Sequence, residues 1–197
     1  MKPNIAFDVD GIAANFSAAF VPYAKKRYGI NFKESNRFHW EVEPELSGPL
    51  FDKIIAWFIR DHSHKIRYME DGVSLIDHVW KATKKPITFV TARHEMTCAA
   101  THHWMKSIFP GMDFIVITVD SGNDKIRFLD DFDCFVEDRR KTAVQLAENG
   151  KIVFMPKRHY NMPLPSTMSR LAESNIIILD SLTPVCYGNY DHLIFKP

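Results

Sequence analysis

Two aspartates near the start of the chain, Asp8 and Asp10, have the spacing and the setting of a site that handles a cation or a phosphate. They end a short apolar run, and Gly11 follows at once and allows a sharp turn. If the run is a strand, its side chains alternate between faces, so both carboxylates are expected on the same side. Carboxylates placed in this way can share Mg²⁺ with a substrate phosphate. The alternative is that Asp10 caps a helix and Asp8 is an incidental turn residue.

Further polar side chains follow other apolar segments of the chain. Thr91, Ala92 and Arg93 come directly after one such segment, and the acidic pair Glu137 and Asp138 comes after another. Parallel strands gather their carboxyl ends at one edge of a sheet, where ligands bind. We therefore expect these groups to lie close to the two aspartates.

Each of these residues also has a plain structural explanation. Thr91 could cap a helix, and Glu137 and Asp138 could cap the helix that follows them. Lys125 could be an ordinary exposed lysine near a helix start, and Arg127 competes with it for a phosphate. Only the combination of motifs favours a shared site over these readings.

Composition limits the class of protein. The 197 residues suit one domain with an inserted subdomain, and a hydrophobic content of 46% supplies a large core. The net charge of +1 lacks the basic footprint of a nucleic-acid binder. Three cysteines without a C-x-x-C spacing disfavour a disulfide framework or a zinc finger. With no apolar run of membrane-spanning length and no room for a signal peptide, a cytoplasmic location is expected.

Short apolar segments alternate with helical patterns along most of the chain. Such alternation predicts an α/β fold, a Rossmann-like parallel sheet with helices on both faces. A helical stretch after the first strand interrupts the alternation and is predicted to be a small cap, within which Pro22 should break or kink the first helix. The predicted division is a core of residues 1–15 and 71–197 and a helical cap of residues 16–70.

The motifs together resemble those of the haloacid dehalogenase (HAD) superfamily of phosphohydrolases. The resemblance rests on Asp8-Val9-Asp10-Gly11, Thr91, Lys125 and Glu137-Asp138, in this order. Within that superfamily the chain is most similar to 5′-nucleotidases of the 5′(3′)-deoxyribonucleotidase type. That finer resemblance adds the stretch to Phe16, the turn Thr91-Ala92-Arg93, and the segments Thr101 to Trp104, Val136 to Arg139 and Arg158 to Asn161.

The resemblance implies a Mg²⁺-dependent phosphomonoesterase that works through an aspartyl-phosphate. Asp8 would be the nucleophile, and Asp10 would protonate the leaving oxygen and then activate water. Asp8, the main-chain carbonyl of Asp10, and Asp138 would hold the cation. Glu137 would orient water or Lys125 from behind these ligands. The residues expected to bind the phosphoryl oxygens are Thr91, Ala92, Arg93 and Lys125.

Aromatic residues of the predicted cap are candidates for a base pocket. Phe16, Phe38 and Trp40 stand where the resembled nucleotidases carry such aromatics, although aromatic residues in a small cap also serve as its core. One departure concerns Arg93, because the best-known deoxyribonucleotidases carry serine and proline after the motif threonine. Arg93 could bind a phosphate in a bidentate manner or form a structural salt bridge.

The predicted partner is a small-molecule phosphomonoester, a nucleoside 5′-monophosphate and specifically a deoxyribonucleotide. Another small phosphomonoester such as a sugar phosphate is the alternative, as is a HAD-like protein that binds a phosphorylated ligand without turnover. A nucleic-acid polymer is disfavoured by the near-neutral charge and the enclosing cap. No membrane partner is expected, and a homodimer is left open.

Overall fold

A six-stranded, wholly parallel sheet forms the centre of the computed structural model, which describes residues 2–30, 32, 48–158, 161 and 169–196. Its strands in spatial order are β4 (Phe114–Thr118), β3 (Ile87–Thr91), β2 (Ile5–Phe7), β5 (Cys134–Val136), β6 (Ile152–Pro156) and β7 (Ile176–Leu179). Two further strands, β1 (Lys2–Pro3) and β8 (Phe195–Lys196), pair antiparallel. The predicted parallel sheet is confirmed.

Helices cover both faces of the sheet, as the apolar strands require. They are α1 (Phe16–Tyr28), α2 (Pro49–His62), α3 (Glu70–Thr83), α4 (Cys98–Ile108), α5 (Arg140–Glu148), α6 (Arg170–Asn175), α7 (Thr183–Cys186) and α8 (Asp191–Ile194). Short 3₁₀ segments occupy Ser63–Lys65, Glu95–Thr97 and Gly122–Phe128. In the part of the chain that the structure describes, no helix combines the length and apolarity needed to cross a bilayer.

Alternate side chains of the central strand enter two different hydrophobic clusters. Ile5 and Phe7 pack with residues of α3 and α4, whereas Ala6 packs with residues of α5 and α6. This alternation follows from the pleat of a strand, which points successive side chains to opposite faces. The central strands are therefore covered on both faces, whereas Ile115 of β4 and Ile178 of β7 are exposed at the edges of the sheet.

The strand that precedes the two aspartates, β2, ends before the first of them. β2 ends at Phe7, and the backbone then turns, because the amides of Ala13 and Ala14 both donate to the carbonyl of Val9. Gly11 has a φ of +77°, which most other residues would adopt only with strain. Asp8 and Asp10 therefore lie beyond the strand, and the expectation that strand alternation sets their common face is wrong.

Helix α1 continues through Pro22, so the predicted break is wrong, and the kink that was its alternative stays a prediction. Proline at this position leaves the carbonyl of Ala18 without its helical donor. Both residues are exposed, so water can hydrate that carbonyl. The helix ends before Gly29, whose φ is +69° and whose amide donates to the carbonyls of Ala24 and Lys25.

The chain leaves and rejoins the sheet region through two segments that are hydrogen bonded to each other. The amide of Asn15 donates to the carbonyl of Arg67, and the amide of Met69 donates to that of Ala13, both at 2.8 Å. Ala14 and Tyr68 form an antiparallel bridge between these contacts. Residues 13–15 and 67–69 thus form one narrow two-stranded ribbon, which we call the linker ribbon.

The described part of the predicted cap is held by aromatic packing between α1 and α2. The rings of Phe16, Phe20 and Phe58 lie with centroids 5.2–5.7 Å apart. These rings belong to the same hydrophobic cluster as the residues under the sheet. The division into a core and a cap at residues 16–70 stays a prediction.

We predict that Gly72→Ala destabilises the fold, although Gly→Ala inside a helix ordinarily stabilises it by about 1 kcal/mol. A Cβ atom at Gly72 would lie 1.9 Å from the carbonyl oxygen of Ile12, so α3 or the turn after Asp10 would have to move. The expected loss is about 1–3 kcal/mol in urea unfolding. Ser74→Ala, on the exposed side of the same helix, should change stability by less than about 0.5 kcal/mol. Equal stability of both variants would contradict this reading of the contact.

Candidate active site

A buried lysine lies between two carboxylates at the carboxyl edge of the sheet. The Nζ atom of Lys125 lies 2.9 Å from Oδ1 of Asp8 and 2.7 Å from Oε2 of Glu137. Only 3% of the Lys125 side chain is exposed, against 12% for Asp8 and 2% for Glu137. Charged groups are seldom buried unless they are paired, so these three residues depend on one another.

Strand register brings the two acids together. β2 and β5 are parallel neighbours in which Phe7 is the partner of Val136, so Asp8 and Glu137 are the residues that directly follow these two strands. The amide of Asp8 donates to the carbonyl of Val136 at 2.9 Å and continues the ladder by one bond. The ammonium of Lys125 comes from the 3₁₀ segment Gly122–Phe128.

The structure separates the two candidate cations of that 3₁₀ segment. Lys125 is buried at the site, whereas the side chain of Arg127 is 67% exposed and pairs with Asp124 at 3.0 Å. Lys125 is therefore not the ordinary exposed lysine of the alternative reading. Of the two, it is the cation that the structure brings to Asp8.

Burial and neighbouring charges both shift the pKa values of Asp8 and Lys125. Burial raises the pKa of Asp8 to about 7, even though the ammonium of Lys125 favours the carboxylate. Burial alone would lower the pKa of Lys125, but the charges of Asp8 and Glu137 outweigh it and hold that pKa above its usual range. The lysine therefore stays charged, and the state of Asp8 depends on the balance around it.

Three carboxylates of the site could hold a metal ion together. One oxygen from each of Asp8, Glu137 and Asp138 lies within 4.8 Å of the others. An all-oxygen set of this kind fits Mg²⁺, which prefers hard ligands. The predicted ligand set contained Asp8, Asp138 and the main-chain carbonyl of Asp10, with Glu137 behind it; the structure adds Glu137 to the cluster and also places it against Lys125.

The loop that carries the acidic pair is fixed by hydrogen bonds to its main chain. Oε1 of Glu137 accepts from the amide of Arg139 at 2.9 Å. Asn161, which is fully buried, donates from Nδ2 to the carbonyls of Asp138 and Pro156, each at 2.9 Å. Asn161 had no predicted role beyond its place in a loop resemblance. Its signal in the sequence is weak, because a single asparagine in a loop is common.

Arg93 is engaged with the second aspartate. Its Nη2 and Nε atoms donate to Oδ1 and Oδ2 of Asp10 at 2.7 and 2.9 Å, and its Nη1 donates to the hydroxyl of Thr101 at 3.1 Å. The Arg93 side chain is 1% exposed and that of Asp10 is 30% exposed. Of the two readings open for Arg93, the structure contains the salt bridge; its contact with a phosphate stays a prediction.

Thr91 ends β3 beside this pair and is buried, and its hydroxyl accepts a long contact of 3.4 Å from the amide of Arg93. Ala92, the next residue, is exposed. The following 3₁₀ helix is capped by His94, whose ring accepts from the amide of Met96, so the capping alternative for Thr91 does not apply. The hydroxyl of Thr91 therefore lies at the same edge of the sheet as the two aspartates.

The predicted pocket aromatics have less support from the geometry. The side chain of Phe16 is only 4% exposed, and its ring stacks on Phe20 at 5.2 Å. That ring is a core residue here, and contact with a base would require its packing to change. Phe38 and Trp40 lie outside the described residues. The base pocket stays a prediction.

Comparison with known proteins finds solved structures of similar fold, whereas comparison by sequence finds no match. No protein-family model matches the chain, and no curated protein matches it. A dehalogenase crystal structure superposes with a TM-score of 0.58 at 12% identity, covering 98% of both chains. A Bacteroides vulgatus protein assigned as a beta-phosphoglucomutase gives 0.56 at 11% identity, covering 98% of this chain and 90% of its own.

A third solved structure, CbbY from Rhodobacter sphaeroides in complex with phosphate, gives a TM-score of 0.51 at 15% identity. The match covers 93% of this chain and 96% of that one. Together with the sheet order and the helices on both faces, these likenesses establish the fold. The chain has the α/β fold of HAD-like hydrolases.

We predict that Lys125→Met lowers the stability of the metal-free protein by about 3–5 kcal/mol near pH 8, because it leaves two buried carboxylates without their cation. Without the ammonium, the pKa of Asp8 rises further, so the folded state takes up protons that the unfolded chain does not. Stability then falls as pH rises, and the deficit should be smaller at pH 5 than at pH 8. Urea unfolding in the presence of a chelator measures both effects.

Arg127→Met is the matched control for this prediction, since it removes an exposed cation from the same 3₁₀ segment. It should change stability by less than about 0.5 kcal/mol at either pH. If the two variants lose stability equally, the buried ion group does not hold the site together.

Proposed function

We propose that the protein is a Mg²⁺-dependent phosphomonoesterase that works through an aspartyl-phosphate intermediate. The observation that carries the proposal is the meeting of Asp8, Lys125 and Asp138 at one edge of a HAD-like sheet, with Asp10 beside them. A protein that only bound a phosphorylated ligand would need the cation but not two differently paired aspartates. The hydroxyl of Thr91 at the next strand end supports a phosphate site at this edge.

In the first step, a carboxylate oxygen of Asp8 attacks phosphorus and forms an acyl-phosphate bond, while the bond from phosphorus to the ester oxygen breaks. The ester oxygen takes a proton from the carboxyl group of Asp10 and leaves as an alcohol. The amide of Val9 and the ammonium of Lys125 both donate to Oδ1 of Asp8, which fixes the carboxylate as it approaches phosphorus.

In the second step, Asp10 removes a proton from water, and the resulting hydroxide attacks phosphorus. The bond between phosphorus and Asp8 breaks, inorganic phosphate leaves, and Asp10 is again protonated. Asp8, Asp138 and the main-chain carbonyl of Asp10 would hold a Mg²⁺, which would neutralise charge between the anionic nucleophile and the anionic phosphate. Lys125 adds to this neutralisation from the protein side.

For the substrate we propose a nucleoside 5′-monophosphate, in particular a deoxyribonucleotide, on the strength of the motif resemblance. A sugar phosphate is the second candidate. It is favoured by the packed state of Phe16, which leaves that ring in the core, and by the likeness to the assigned beta-phosphoglucomutase and to CbbY, which has also been solved with xylulose-(1,5)bisphosphate. Both candidates use the same chemistry at Asp8 and Asp10. We further propose that the partner is a small molecule and not a nucleic-acid polymer.

We predict Mg²⁺-dependent release of inorganic phosphate from a panel of phosphomonoesters. The panel contains deoxyribonucleoside and ribonucleoside 5′-monophosphates, hexose and pentose phosphates, and p-nitrophenyl phosphate, each assayed with Mg²⁺ and with chelator. The proposed function predicts that kcat/KM is highest for the 5′-deoxyribonucleotides, and a preference for a sugar phosphate would select the second candidate. No turnover of any ester would leave a binding protein in place of an enzyme.

We predict that Asp8→Asn abolishes turnover, because the amide is a far weaker nucleophile than the carboxylate. Acid quenching of the wild-type protein with a ³²P-labelled substrate should trap label on the chain, and the variant should trap none. Asp130→Asn, which changes an exposed carboxylate, is the matched control and should keep wild-type activity. Retained activity in Asp8→Asn with an unchanged melting temperature would rule out the covalent mechanism.

A further inference from the structure

Arg93 binds both carboxylate oxygens of Asp10, the proposed acid/base. Nη2 and Nε of Arg93 lie 2.7 and 2.9 Å from Oδ1 and Oδ2 of Asp10. This side-on fork fixes the plane and the direction of a carboxylate, which a lysine could not do. Each carboxylate oxygen has two acceptor sites, so the fork leaves one site on each oxygen for a proton that is transferred.

The guanidinium of Arg93 is itself held from the side of α4. Nη1 donates to the hydroxyl of Thr101, which is fully buried, and the Cζ atom lies 5.9 Å from the centre of the Trp104 ring. A guanidinium at this distance from an indole is attracted by the ring. Thr101 and Trp104 are three residues apart on α4 and therefore share a face of the helix.

The same helix face also contacts the linker ribbon. Nε1 of Trp104 donates to the carbonyl of Ile66 at 2.9 Å, directly before the segment that pairs with Ala13 and Asn15. Trp104 therefore contacts both the segment that returns to the sheet region and the guanidinium of Arg93. Asp10 is fixed relative to α4 and not only by the turn in which it lies.

We propose that Arg93, held by Thr101 and Trp104, is a positioning residue that aims the carboxyl group of Asp10 at the leaving-group oxygen. This inference rests on the proposed function, because it assigns Asp10 the role of the acid. It differs from the expectation that Arg93 binds the phosphate, and the two roles predict different kinetics. If Arg93 binds the phosphate, its loss lowers kcat/KM for every phosphomonoester. If Arg93 orients Asp10, its loss lowers kcat/KM for those esters whose leaving group needs a proton.

The test compares Thr101→Val with the wild-type protein on two esters. p-Nitrophenyl phosphate has a leaving group that departs without a proton, whereas an alkyl phosphate such as 2-phosphoglycerol needs one. Because kcat/KM reports the first chemical step, it separates the acid role of Asp10 from its later action on water. We expect Thr101→Val to lower kcat/KM about tenfold or more for the alkyl ester and less than about threefold for the aryl ester, as part of the roughly 10²–10⁴-fold of general acid catalysis.

Thr142→Val is the matched control. Thr142 is a similarly buried threonine, on α5, and its hydroxyl has no hydrogen-bond partner in the described part of the chain. The change should alter kcat/KM for neither ester. Arg93→Lys extends the series, because it keeps the charge and removes the fork, and it should show the same split between the two esters with a larger loss for the alkyl ester.

Two outcomes would overturn the inference, and they differ from failure of the proposed function. If Thr101→Val and Arg93→Lys lower kcat/KM equally for both esters, Arg93 acts on the phosphate or on the fold. If neither variant changes either ester, the salt bridge has no part in catalysis. If the wild-type protein hydrolyses neither these two esters nor any member of the substrate panel, the proposed function itself is wrong.

Discussion

The burial of the Lys125 ammonium between two carboxylates is the constraint on which the site depends. Neither Asp8 nor Glu137 could be taken from water at this depth without a neighbouring cation, and Lys125 could not be buried without them. Two of the three groups directly follow strands β2 and β5, and the third comes from a 3₁₀ segment. Any shift of one element would leave a charge unpaired, so the same electrostatics that would serve the chemistry also fix the geometry of the sheet edge.

The two aspartates of the first motif are given different surroundings by two different cations. Asp8 is largely buried and faces the point charge of Lys125, whereas Asp10 is 30% exposed and is gripped by the planar fork of Arg93. A carboxylate that attacks needs a fixed position, and one that exchanges protons needs access to both the leaving group and water. Neighbouring acids in unlike environments are the usual basis for such a division of labour.

Much of this arrangement could be predicted from the sequence, because it follows from the sheet. Apolar runs define parallel strands, and parallel strands bring their polar ends together, which accounts for Asp8, Thr91 and the pair after β5. The partner of Arg93 could not be predicted, since its charge fits a phosphate and a carboxylate equally well. Arg93 also contacts Thr101 and Trp104, and those contacts arise from the packing of α4, which the sequence does not show. The break predicted at Pro22 is wrong because the cost of a lost helical hydrogen bond depends on exposure to water, a property of the tertiary structure.

The linker ribbon connects α1 and α2 to the sheet region through two segments whose backbones are paired. Two separate tethers would permit sliding, tilting and rotation in several directions. Here the outgoing and returning passes are bonded to each other through Ala13, Asn15, Arg67 and Met69, so they bend as one strip. A two-stranded strip flexes across its face and resists shear in its plane. The ribbon therefore ties the start of α1 and the segment before α3 directly to the turn that follows Asp10, and Gly72 packs against the carbonyl of Ile12 in that turn.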